Sequence, residues 1–140
     1  MRVSWLSKNR DTPFLRRLQS LGLHVQTARA NKIKTLDPGT ADLVYMVPHA
    51  MLDEAGWPEL RVTLARSSRY YVICGANLGT REIMWAARDG AYDVVDQNDP
   101  DDRIFEAVEK AANAQGLWWQ LYGSSEQIDK ESLVGRASTM

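Results

Sequence analysis

A short apolar run in the first half of the chain restricts what this sequence can fold into. Residues 41–47 have the sequence ADLVYMV and are followed directly by Pro48. Such a run, rich in β-branched and aromatic side chains, is typical of a strand that is buried on both faces in the middle of a parallel sheet. In these sheets, ligands and reacting groups gather at the carboxyl ends of the strands. Here the end of the strand, residues 47–50, offers no carboxylate, thiol or hydroxyl group.

Four further apolar segments predict strands, at residues 3–6, 23–28, 70–74 and 91–96. Helical spacing of apolar residues follows each of the five strands, although only weakly over residues 29–36. Strand and helix therefore alternate five times, with short connections. This order predicts an α/β three-layer sandwich with a five-stranded parallel sheet in the flavodoxin-like order 2-1-3-4-5.

The helix boundaries are predicted from capping residues. Thr12 and Pro13 begin the first helix and Gly22 ends it. Residues 51–56 are expected to form a loop, and residues 66–69 a polar break after a helix over residues 57–65. Thr80 is expected to cap the next helix, whose inward side chains we predict to be Ile83, Met84 and Ala87. Asp99 is expected to cap the last helix, which continues as an apolar helical pattern to residue 122.

Composition excludes several classes of function. The chain has 140 residues, 44% hydrophobic and 25% charged, with a formal net charge of −1, which argues against a general nucleic-acid binder. No apolar run is long enough to span a membrane, and residues 1–6 are not a signal peptide. The single cysteine, Cys74, excludes an internal disulfide, and His24 and His49 are too isolated for a metal site. We expect a cytoplasmic protein that is not an enzyme and uses no cofactor or metal.

Three segments resemble the receiver domains of bacterial response regulators. Residues 90–97, GAYDVVDQ, followed by Asp99 and Pro100, are similar to the fifth strand and following loop of receivers, which often have the sequence GAYDFLEKPFDP. Residues 13–22 are similar to their first helix, and residues 41–44, ADLV, to the start of their third strand. The resemblance covers roughly residues 1–115 and implies the receiver fold.

The resemblance also implies where the phosphoryl-transfer residues of the family would lie. The pair of acids that holds Mg²⁺ falls on Ser7 and Lys8, the phosphate-accepting aspartate on Val47, the hydroxyl residue on Gly75 and the lysine on Gln97. The aromatic switch residue of the fifth strand falls on Val94. Since Val47 has no nucleophilic atom and Mg²⁺ needs oxygen ligands, we interpret this set as a degenerate phosphoacceptor pocket. The domain is expected to regulate without being phosphorylated.

Two surfaces are candidates for contact with a second copy of the chain. The first includes Trp85, Arg88, Asp93 and Arg103, on the face that receivers often use to dimerise, made by the helix after the fourth strand, the fifth strand and the last helix. An exposed tryptophan there suits an interface, although a solvated charged face is the competing interpretation. The second lies on the helical extension and carries an aromatic stripe, namely Trp118, Trp119 and Tyr122.

The end of the chain carries another resemblance. Residues 132–140, SLVGRASTM, are similar to the opening of the AAA+ ATPase domain in NtrC-like, sigma-54-dependent activators. We therefore expect a receiver-like domain at residues 1–115 and a helical extension and linker at residues 116–140, leading to an AAA+ domain beyond Met140. The resemblance implies a transcriptional regulator that acts through dimerisation or domain contacts, without touching nucleic acid or membrane through this domain.

Two other functions stay open from the sequence. Lys8, Arg10 and the small residues Gly75–Asn77 could form a pocket for an anionic, nucleotide-type ligand, because small residues let a ligand approach the backbone. A flavodoxin-like enzyme or electron carrier is the third possibility, but the chain offers neither a phosphate-binding loop motif nor a placed nucleophile for it.

Overall fold

Five parallel strands form the centre of the molecule in the computed structural model, which describes residues 1–6, 13–29 and 32–123. The strands are β1 (Arg2–Leu6), β2 (His24–Ala28), β3 (Leu43–Pro48), β4 (Tyr71–Gly75) and β5 (Asp93–Asp96). Their order is β2-β1-β3-β4-β5, and each neighbouring pair is parallel. This confirms the predicted fold class and strand order. β3 is central and its first five residues are buried, as the uninterrupted apolar run predicted.

The described helices are α1 (Pro13–Ser20), α2 (Trp57–Arg66), α3 (Thr80–Arg88) and α4 (Asp101–Trp118). A 3-10 helix over His49–Asp53 follows β3, and a π-helical turn over Trp119–Gly123 extends α4. The left-handed φ angles of Gly22 (+82°) and Gly90 (+92°) end α1 and α3, because glycine adopts this conformation without a steric penalty.

The sheet separates two apolar cores, which gives the three-layer sandwich. On one face, α1 and α4 cover β1, β3 and β4 through residues such as Leu18, Met46 and Ile104. On the other face, α2 contributes Trp57, Leu60 and Leu64, whereas α3 contributes Ala86. On this second face, α2 therefore buries more apolar side chains than α3 does.

The predicted strand–helix alternation is wrong at one of its five places. Among the described residues between β2 and β3, none lies in an α-helix. Hydrogen bonds hold this crossover instead: Lys34 N–H donates to Tyr45 Oη (2.9 Å), and Leu36 N–H donates to the carbonyl of Ser67 (2.9 Å). The weak periodicity of residues 29–36 comes from two apolar side chains outside any α-helix, namely the buried Leu36 and the partly buried Ile33.

A buried arginine connects this crossover to the sheet. Arg69, within the predicted polar break, is 4% exposed and donates from Nε to the carbonyl of Lys34 (2.7 Å) and from a terminal nitrogen to those of Thr40 (2.7 Å) and Leu43 (3.0 Å). Its guanidinium lies 5.5 Å from the ring centre of Tyr45. Arg69 therefore satisfies carbonyls that have no strand partner at the amino end of the sheet.

The predicted inward face of α3 is also wrong. Ala86 is its buried residue, whereas Ile83 is 44% and Met84 59% exposed, and Ala87 is exposed as well. The short strand β5 gives α3 little surface to cover, so a single small side chain fills the contact. Thr80 makes no cap because it lies inside the helix, and Gly79 is the capping residue.

Two predicted boundaries, at residues 51–56 and at Asp99, differ from those in the structure. The segment expected to be a loop at residues 51–56 begins with the end of the 3-10 helix, which closes over Leu52, a buried residue. Asp99 does not cap α4, because Pro100 is the capping residue, and within the first turn the Asp102 carboxylate accepts the backbone N–H of Arg103 (3.1 Å). The Asp99 carboxylate instead accepts the backbone N–H of Asp96 (2.9 Å).

Candidate functional site

The carboxyl end of β3 carries the position that the resemblance assigns to the phosphate acceptor. Val47 is fully buried there and packs in the core on the side of α2. The side chains next to it, Met46 and Pro48, likewise carry no oxygen. The side chains at the end of the central strand therefore present no nucleophile to solvent and no oxygen ligand for a hard cation.

The space beside Val47 is occupied by apolar groups of the chain. A Cβ atom added to Gly75, at the end of β4, would lie 2.8 Å from Leu78 Cδ2 and 3.2 Å from the Cβ of His49. Real Cβ atoms do not approach other heavy atoms as closely as the shorter of these distances. A hydroxyl side chain at Gly75, where the resemblance places one, would therefore displace Leu78 from this site.

Asp96, at the end of β5, holds the loop that follows β4. Its carboxylate accepts the backbone N–H groups of Leu78 (2.7 Å) and Asn98 (2.8 Å). These bonds lower the pKa of Asp96, with the bond from Asn98 contributing most. The Asn98 side-chain amide also donates to Asn77 Oδ1 (3.0 Å). The loop amide of Leu78 is thus used within the chain.

Gln97 lies at the position that the resemblance assigns to the family lysine. Its backbone N–H donates to the carbonyl of Gly75 (2.7 Å), and its own carbonyl accepts a hydrogen bond from the guanidinium of Arg17. Arg17 also donates to the carbonyl of Asp99 and, through Nε, to the carboxylate of Asp101 (2.9 Å). The loop between β5 and α4 is therefore clamped to α1.

The rest of the predicted pocket lies outside the described residues. This holds for Ser7 and Lys8, the positions of the metal-binding acids, and for Arg10. In the described part of the chain, no group of three His, Cys, Asp or Glu residues could hold a metal ion. The described end of β3 does not fit the Mg²⁺ ion of the family, because its side chains carry no oxygen.

Cys74, the single cysteine of the chain, lies near this edge, and its surroundings do not favour the reactive thiolate. The residue is 2% exposed and its Sγ atom lies 3.7 Å from the carbonyl of Val47. Burial raises the pKa of the thiol, because an apolar environment disfavours the thiolate. Cys74 is a core residue, in line with its position in an apolar strand.

The predicted contact residues around α3 fall into two groups. Trp85 (37% exposed) and Arg88 lie at the surface of α3. Asp93 and Arg103 instead bind each other through two hydrogen bonds of 3.0 and 2.9 Å, and this pairing raises the pKa of Arg103. Since the pair is satisfied within one chain, its charge is less available to a partner.

The helical extension exposes leucine side chains in addition to the aromatic residues that the sequence analysis singled out. Trp118 and Trp119 are half-buried, and the Trp118 ring lies 6.0 Å from that of Tyr122. Tyr122 is 54% exposed. Sequence reasoning missed Leu117 and Leu121, which are 56% and 57% exposed. Their spacing of four residues, which places them on one side of the helix, was the available signal.

The fold is found again among solved structures of receiver domains. A CheY-like response regulator from Mesorhizobium loti matches with a TM-score of 0.53 and 18% identity, over 79% of this chain and 97% of that chain. The signal receiver domain of a modulated diguanylate cyclase from Desulfovibrio desulfuricans matches with a TM-score of 0.56 and 18% identity, over 83% and 96%. A response regulator receiver domain protein from Clostridium thermocellum matches with a TM-score of 0.56 and 16% identity, over 83% and 97%.

These similarities define a flavodoxin-like receiver fold, and the low identities carry the fold alone. No protein-family model and no curated protein matches the chain. Within the described ranges, no helix is long and apolar enough to cross a membrane. The AAA+ resemblance of residues 132–140 lies outside the described residues and stays a prediction.

Proposed function

We propose that this chain is a receiver-like regulatory domain that does not accept a phosphoryl group. The observation that carries the proposal is Val47, which is fully buried at the end of β3 and has no carboxylate. The apolar contact of Leu78 and His49 around Gly75 supports it, because the space for the phosphoryl-binding hydroxyl is taken. Arg17 also holds the β5–α4 loop through hydrogen bonds within the chain. This supports a regulatory domain whose conformation does not depend on phosphorylation.

Phosphotransfer can be tested directly with a small-molecule donor. The chain is incubated with acetyl phosphate and Mg²⁺, and its intact mass is measured, with a receiver that carries the acceptor aspartate as the positive control. We expect no mass increase in this chain under conditions that phosphorylate the control. A stable addition of one phosphoryl group, mapped to an aspartate of this chain, would overturn the proposal.

We further propose that the domain acts by binding a second copy or an attached domain through exposed apolar surface. One surface, the α3 face, is the exposed part of α3, with Ile83, Met84 and Ala87 and, on an adjacent side of the helix, Trp85; Met84 is 59% exposed. The other, the terminal stripe, consists of Leu117, Leu121 and Tyr122, each more than half exposed. Apolar side chains grouped in this way favour a contact surface over isolated surface residues.

The two surfaces can be separated by sedimentation of matched variants. If the α3 face is the contact, Trp85→Glu should abolish a concentration-dependent dimer that Leu121→Glu leaves intact. If the terminal stripe is the contact, the two variants should behave in the opposite way. A monomer in the wild-type chain at every concentration would contradict self-association and leave an attached domain as the partner.

The ligand-sensor alternative receives no support from the described residues. Leu78 and His49 fill the space at Gly75, and the backbone N–H groups of Leu78 and Asn98 already donate to Asp96. Lys8 and Arg10, the cations expected to bind the anion, lie outside the described residues. Saturable binding of a nucleotide that is lost in Lys8→Ala would revive this alternative.

A further inference from the structure

His49 forms a contact that connects the carboxyl end of β3 with α3. Its ring lies 5.6 Å from that of Trp85, and the two ring planes meet at 85°, an edge-to-face arrangement. His49 Cβ also lies beside Gly75, at the end of β4. The residue thus lies between the degenerate phosphoacceptor pocket and the helix that carries the α3 face.

The helix α3 buries little of its own surface, although hydrogen bonds from α2 hold Asp89 at its carboxyl end. Its nine residues include one buried side chain, Ala86, whereas the ten-residue helix α2 buries Trp57, Leu60 and Leu64. A helix with so little buried surface opens more readily than its neighbours. The contact between Trp85 and His49 therefore adds an attachment of α3 to the segment that follows β3.

The imidazole of His49 contributes its ring rather than a hydrogen bond to this contact. Its Nε2 atom is shielded from solvent and has no hydrogen-bond partner among the described residues. Edge-to-face aromatic pairs attract each other through the positive edge of one ring and the negative face of the other. A phenylalanine of similar shape should therefore replace His49 in this role.

We infer that His49 is a positioning residue that couples the carboxyl edge of β3 to the α3 face through Trp85. The resemblance assigns the aromatic switch of receivers to Val94, which has no ring. The His49–Trp85 pair supplies a different link between the same two regions. A partner that shifts the 3-10 helix at His49–Asp53 would then alter the exposure of Trp85. This inference rests on the proposed function, because it names how the regulatory surface is controlled.

Amide hydrogen exchange tests the coupling in the whole chain. Exchange in α3 is compared for wild type, His49→Ala and His49→Phe, with α2 as the internal control. We expect His49→Ala to raise exchange of the α3 amides by roughly 2- to 10-fold, the factor that corresponds to loss of an aromatic pair. His49→Phe should keep the wild-type rate in α3, and α2 should not change in either variant.

Three results would overturn the inference: unchanged exchange of α3 in His49→Ala, an equal rise in His49→Phe, or a rise shared by α2. The double variant His49→Ala with Trp85→Ala adds a second check, since coupled residues should show a non-additive effect in α3. Sedimentation of the same proteins separates this inference from the proposed self-association. A monomeric wild-type chain would contradict self-association, while the exchange rates still decide the coupling.

Discussion

We expect Arg69→Met to destabilise the fold by about 2–4 kcal/mol. Three carbonyls accept short hydrogen bonds from Arg69, but that of Leu43 also accepts one from Gln115 Nε2 (2.9 Å) and keeps it in the variant. The carbonyls of Lys34 and Thr40 lose the Arg69 donor. A hydrogen bond to a charged group contributes about 1.5–3 kcal/mol. Removal of the buried charge offsets part of this loss, and methionine retains much of the apolar packing.

Urea denaturation followed by circular dichroism measures this loss. With a urea dependence of about 2 kcal/mol per molar for a small domain, the midpoint should fall by about 1–2 M. Arg66→Met is the matched control, because Arg66 lies exposed at the end of α2, and its midpoint should stay close to wild type. A decrease below about 0.5 kcal/mol for Arg69→Met would refute the assignment of Arg69 as the anchor of the β2–β3 crossover.

Three further predictions concern the carboxyl edge. Gly75→Ala should destabilise the fold by about 1–3 kcal/mol, because the added methyl group would contact Leu78. Gly56→Ala is the control and should have little effect, since no heavy atom lies near the position of its added methyl group. Equal urea midpoints for the two variants would contradict this prediction. The pKa of Asp96 is lowered in the folded state, so Asp96 stabilises the fold above its unfolded pKa of about 4, and this contribution is lost as the pH falls through the folded pKa. Asp96→Asn should therefore make the melting temperature depend less on pH on the acid side. An unchanged slope would refute the assignment. Cys74 should react with a thiol reagent at pH 8 only after unfolding in urea, because its thiol is buried and its pKa is raised; rapid labelling of the native chain would be the contrary result.

Apolar patterning predicted β1, β3 and β4 because each is a continuous, largely buried segment, whereas β2 and β5 are only partly buried. The run at residues 41–47 corresponds to β3 with a start two residues later, since Ala41 and Asp42 lie in the preceding turn. Periodicity failed for α3, where the buried contact is a single alanine and the larger apolar residues face outward. Sequence patterns assume that large apolar residues are buried, but α3 carries such residues at its exposed surface.

The polar interior could not be predicted from the sequence. Arg69 and Gln115 are buried because their side chains bond carbonyls that lie far away along the chain, so no local pattern marks them. The same holds for Asp96, whose carboxylate fixes the loop after β4, and for the contact between His49 and Trp85. The positions of Val47, Gly75 and Gln97 at one edge of the sheet, in contrast, followed from the order of the strands.

The central claim is that this domain acts without phosphorylation, and sedimentation tests it most directly. The wild-type chain is sedimented over a range of concentrations, with and without acetyl phosphate and Mg²⁺. We expect a concentration-dependent dimer whose distribution is the same in both buffers, because Val47 offers no acceptor. Association that occurs only with the phosphate donor would contradict the claim.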